Sequence, residues 1–143
     1  MAQTYSVETA GVDSLPVVKA SAVQAYEARV RRFRATVNLA SQASGDTVVL
    51  ADLPAGYSFA GVELTTSVSL GTSTVSVGNA ANATKYTPAL TLTATNTPTN
   101  TGNATQLAAL PQTSNDRVIL TVGVAALPAS GTLVVDIYVS HPN

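Results

Sequence analysis

Between Arg32 and Leu39 the side chains alternate without a break: Phe33, Ala35, Val37 and Leu39 are apolar, while Arg32, Arg34, Thr36 and Asn38 are polar. Period two puts one set on each face of a pleated strand, a pattern that an α-helix cannot turn into an apolar stripe. Similar runs follow at Thr47 to Ala51, Ser58 to Ser67, Thr74 to Val77, Leu90 to Ala94, Arg117 to Val124 and Leu133 to Val139. Turn formers stand between them: Ser44-Gly45-Asp46, Pro54 with Gly56, Gly71, and Gly78-Asn79. Pro54 cannot donate to a central ladder, and Gly56 can adopt positive φ. Leu133 to Val135 is apolar on both faces, which suits a central strand.

About seven short strands with turns at roughly 8 to 12-residue spacing predict an all-β fold, a β-sandwich of jelly-roll type. Asn96 to Gln106, dense in Thr, Asn, Pro and Gly, reads as a surface loop, and Leu107 to Leu110 as one helical turn stopped by Pro111. Val48 to Gly56 resembles Val122 to Gly131, both passing through Leu-Pro-Ala, and the repetition reads as one turn used in two hairpins. Residues 1–28 break the pattern and are expected to form an N-terminal arm, extended or as a short helix. The apolar residues Val7, Val12, Leu15, Val17 and Val18 are too few for a core of their own. Residues 29–143 are then the sandwich domain.

At 143 residues the chain can bury one sizeable core. It contains no cysteine, which removes disulfides and thiolate chemistry. Every apolar run is punctuated well short of the ~20 residues of a membrane helix, and no membrane partner is expected. Met1 to Tyr5 lacks the basic start and apolar run of a secretory leader, so synthesis in a cytoplasm is expected. Charged residues make up only 10% of the chain against a usual ~25%, and the net charge is −1. A surface of Thr, Ser, Asn, Gln and Ala strips few ions of water when another protein covers it.

The residues offer little for catalysis. His141, the only histidine, stands third from the end, where chain termini fray, and a Ser-His-Asp triad would depend on it. The carboxylates lack the alternating spacing of a calcium loop. Glu63 and Asp136 could meet from separate strands as a glycosidase pair does, but the chain has no Trp to stack a sugar. Asp46, Asp52 and Asp116 lie beside turns, where they are expected to accept bonds from backbone amides. No Gly-rich turn links a strand to a helix, as a phosphate cradle requires. Asn82-Ala83-Thr84 and Asn103-Ala104-Thr105 fit a glycosylation pattern but read as products of Thr-rich loops. The expectation is a protein that is not an enzyme and uses no metal or cofactor.

One charged feature does stand out. Arg29, Arg31, Arg32 and Arg34 hold four of the seven basic residues. Two readings weigh equally: docking on an acidic patch of a partner through guanidinium contacts, or protection of a strand edge against unwanted pairing. Nucleic acid is a weaker candidate, because the net charge is slightly negative and no aromatic ladder accompanies the arginines.

The segments Arg31 to Ala40, Ala43 to Gly56, Arg117 to Val122 and Leu127 to Tyr138 resemble small proteins of tailed bacteriophages and prophages, typically encoded near the major capsid protein. The resemblance covers about residues 29 to 143 and implies a capsid cement, or decoration, protein. Such a protein sits on the outside of the head and stabilises the lattice of the major capsid protein. It also implies homodimers or homotrimers, a place on the virion surface after assembly in the host cytoplasm, and no binding to nucleic acid. The four arginines become candidate capsid-docking residues. Alternatives are another virion component, such as a head fibre, neck or tail protein, or a carbohydrate-binding β-sandwich.

Overall fold

The computed structural model describes residues 29–141, so the expected N-terminal arm lies outside the described residues. Among the described residues there are seven strands: β1 (Arg29–Asn38), β2 (Thr47–Leu53), β3 (Ser58–Thr66), β4 (Thr74–Gly78), β5 (Thr99–Thr101), β6 (Asp116–Gly123) and β7 (Thr132–His141), with a short helix α1 (Ala104–Leu107) before β6. They form one sheet in the order β1-β7-β3-β5 and a second in the order β2-β6-β4, every pairing antiparallel. Odd strands make one sheet and even strands the other, so each connection crosses the sandwich. This is jelly-roll winding.

Among the described residues no strand pairs with its neighbour in sequence, which corrects the expected hairpins. The Leu-Pro-Ala turns at Pro54 and Pro128 instead carry the chain from the three-stranded to the four-stranded sheet. Because β2 and β6 run antiparallel, the two turns lie at opposite ends. Gly56 and Gly131 have φ of +90° and +122°, so each corner uses a backbone conformation that glycine takes without penalty.

Alternation builds the core. Leu133, Val135, Ile137 and Val139 of β7 and Val62 and Leu64 of β3 face Val118, Leu120 and Val122 of β6 and Val75 and Val77 of β4, all buried. Each such side chain stabilises the fold by roughly 1.5–3 kcal/mol relative to exposure. A bulge at Ala60-Gly61, with Gly61 at φ +138°, lets Phe59 and Val62 both point inward although they are three apart.

Three local expectations are corrected. Leu90 to Ala94 is not a strand; Leu90 makes a single two-bond bridge to Val75, and Leu92 O accepts from Leu70 N at 2.8 Å. Those contacts mark where a fourth strand of the smaller sheet would lie. The loop expected from Asn96 contains β5, which pairs Thr99–Thr101 with β3. The helical turn starts at Ala104, earlier than expected, because the Asn103 carboxamide caps it by accepting from Thr105 N.

Candidate docking surface

Outward side chains of the four-stranded sheet line up across the strands by register: Arg34 on β1 stands opposite Asp136 on β7, then Glu63 on β3 and Asn100 on β5. Arg34 Nε donates to Asp136 Oδ1 at 2.7 Å and Nη2 to Oδ2 at 2.6 Å, a bidentate fork. Arg32 adds a guanidinium nitrogen 3.9 Å from Oδ2. Asp136 is only 2% exposed although it lies on an outward face, because this pair covers it. Hydrogen bonds from Arg34 hold its carboxyl below the usual range; burial opposes, and the two guanidinium charges assist. Glu63 and Asp136 do come together, yet Asp136 is locked as an ionised acceptor and is no proton donor.

Stability should therefore depend on acid in a definite direction. A carboxylate whose folded pKa is depressed contributes fully above its unfolded value of ~3.9, and that contribution is lost as pH falls through the folded value. Asp136→Asn is expected to melt below wild type at pH 7, and the two melting curves should converge as pH falls below about 4. Parallel curves would show that ionisation of Asp136 contributes nothing.

Arg29 and Arg31 have different surroundings. Neither makes an ion pair among the described residues. The Arg31 guanidinium lies 5.8 Å from the centre of the Tyr57 ring, a cation–π approach. His141 packs on the same ring at 4.9 Å and is exposed as expected, but it is the last residue of β7 rather than part of a frayed tail.

At the same end Asp116 gathers three donors: Lys85 Nζ at 2.7 Å, Asn79 Nδ2 at 2.9 Å and the Tyr86 hydroxyl. Burial pushes its carboxyl upward, but the bonds from Lys85, Tyr86 and Asn79 outweigh burial and leave it below the usual range. Tyr86 is displaced far above the ordinary phenol value, by burial first and then by the Asp116 carboxylate. Asp52 pairs with Arg117 at 2.8 Å. Asp46 alone of the three turn aspartates meets the backbone as expected, accepting from Ala43 N at 2.7 Å. Both Asn-Ala-Thr triplets prove to be local turns, Asn82 Oδ1 accepting from Thr84 N and Asn103 Oδ1 from Thr105 N.

The four candidate arginines thus share one edge strand but split into two roles. Arg32 and Arg34 neutralise Asp136, while Arg29 and Arg31 keep their charge available. The sequence reading missed this division. A lone aspartate inside the apolar run Leu133 to Val139 was the available signal, since a buried carboxylate requires a cation.

No known protein-family profile matches the chain. No curated protein matches it by sequence at a significant level. The fold does have solved counterparts. A chain in the capsid asymmetric unit of cyanophage Pam1 is 24% identical with a TM-score of 0.64, matched over 91% of this chain and 97% of its own. A chain in the capsid of Ralstonia phage GP4 is 15% identical, with a TM-score of 0.62 over 83% and 87%. A third, from the capsid of the Helicobacter pylori bacteriophage KHP30, is 19% identical, with a TM-score of 0.59 over 80% and 89%. The protein is thus a two-sheet β-sandwich that shares its fold with chains found in phage capsids.

Proposed function

We propose that this protein is a structural component of a bacteriophage virion, a cement protein that binds the outside of the head and stabilises the lattice of the major capsid protein. One observation carries the reading: three chains from phage capsids share this fold over 80–91% of this chain and 87–97% of their own, so the likeness extends over most of each subunit rather than a shared fragment. Electrostatics favours the outer surface. A net charge of −1 does not suit a shell interior packed with DNA phosphates. Homodimers or homotrimers that engage several capsid subunits at once would gain avidity, by ~100-fold or more where geometry allows.

Heads assembled without the protein provide the test. Added protein is expected to co-sediment with them and to raise the temperature at which they release DNA. Heads that neither retain it nor gain heat resistance would overturn the proposal.

A further inference from the structure

Two sheets have four edges, and three of them carry devices that discourage another strand. β5 is three residues long. β2 is interrupted by a bulge between Val49 and Ala51. β4 is covered at Val75 by the bridge to Leu90. The fourth edge, β1, differs: it runs ten residues without proline or bulge, in continuous register with β7.

The phase of that ladder is fixed by one bond. Leu39 N donates to Gly131 O at 2.9 Å, so the odd residues of β1 exchange backbone bonds with β7. The even residues, Val30, Arg32, Arg34, Thr36 and Asn38, must direct their N–H and C=O groups away from the sheet. At the end of the strand this outward row is already satisfied at Asn38 O and Ala40 N. The Gln42 carboxamide donates to Asn38 O and accepts from Ala40 N, both at 2.9 Å, the two bonds a neighbouring strand would supply. Gln42 therefore plugs the row at its lower end, and among the described residues the groups from Val30 to Thr36 have no such substitute.

A second copy of β1 is a poor occupant. An antiparallel self-pairing centred on Val30 to Thr36 sets Arg32 of one copy opposite Arg34 of the other, where two guanidinium groups per carboxylate leave excess positive charge that repels, and a register shifted toward Asn38 and Ala40 meets the Gln42 plug. The same charges attract an acidic strand. Arg29 and Arg31, two residues apart on the face opposite to Arg32, lack carboxylate partners among the described residues.

We infer that the β1 edge from Val30 to Thr36 is completed by an extended strand of a capsid subunit, bearing acidic side chains at alternate positions beside Arg29 and Arg31. This rests on the cement reading and gives it a mode, strand addition, in which main-chain bonds hold and alternate side chains select. The arginines act as a filter: they reject the protein's own edge and admit an acidic one.

Proline separates the inward from the outward backbone. Thr36→Pro and Val30→Pro delete outward N–H groups, leave the β1–β7 bonds intact and do not touch the Arg34–Asp136 fork. Each is expected to keep the wild-type circular dichroism spectrum and to weaken binding to heads lacking the protein by ~10-fold or more, whereas Thr36→Ala binds like wild type. Hydrogen exchange of the unmodified protein supplies a readout that needs no variant. Amides of Val30, Arg32, Arg34 and Thr36 should exchange rapidly in the free protein and slow by ~100-fold on heads. Wild-type protein that fails to bind heads would remove the cement reading itself. Wild-type binding with undiminished proline variants, or with no slowing at β1, would overturn strand addition alone. Amides already protected in the free protein would assign the edge to residues 1–28 or to a second copy, and would equally overturn it.

Discussion

Replacing Gly78 with alanine is expected to destabilise the protein by ~3 kcal/mol or more, although φ at this residue is ordinary. A Cβ there would lie 2.1 Å from Asn82 O, 2.5 Å from Ala83 C and 2.6 Å from Ala83 O. All three are backbone atoms, so no rotamer change relieves the overlap. The turn cannot drift aside cheaply either. Asn79 Oδ1 accepts from Ala81 N and Asn82 N, while Asn79 Nδ2 and Lys85 Nζ hold Asp116. Shifting residues 79–85 would pull two of the three donors from that carboxylate. Gly71→Ala is the comparison: φ is +63° and nothing lies within 4 Å, so only a backbone penalty of ~1–2 kcal/mol applies. Urea unfolding should rank Gly78→Ala clearly below Gly71→Ala; equal midpoints would mean that the turn yields.

That close approach shows where sequence reading loses its grip. Alternation revealed β1, β3, β6 and β7 because each has a wet face and a buried one, and the side-chain period records that difference. The departure from alternation at Leu133 to Val135, apolar on both faces, placed that run in a central strand, where the structure has it. β5 escaped because three residues are too few for a period to register, and its pairing is decided by β3 rather than by its own composition. Leu90 to Ala94 erred in the opposite direction. Its alternation is genuine, since Leu90 and Leu92 point inward, but the ladder fails after one bridge.

The docking surface divides in the same way. Four arginines within six positions are visible at once, whereas their separation into a spent pair and an available pair depends on Asp136, 102 residues from Arg34 in sequence. Gln42 as a plug was beyond any pattern, because its role arises from a loop folding back onto the strand it follows.

Leu53 tests the most informative error, the repeated Leu-Pro-Ala turn. The sequence shows the repetition but not its purpose. A hairpin corner would lie at the surface and tolerate trimming, whereas a crossing corner sits between two sheets and must fill the gap. Leu53 is 0% exposed and Leu127 is 3% exposed, one at each end of the sandwich. Trimming either to alanine leaves a cavity between layers that are pinned on both sides by ladders and cannot collapse into it. Leu53→Ala is therefore expected to cost about 2–5 kcal/mol and to lower the melting temperature by roughly 10–20 °C, with Leu127→Ala close behind. Because the corners lie at opposite ends, the double variant should show nearly additive losses. A fall of less than about 3 °C for Leu53→Ala would mean that this corner does not close the sandwich, and that the repeated turn marks only a change of chain direction.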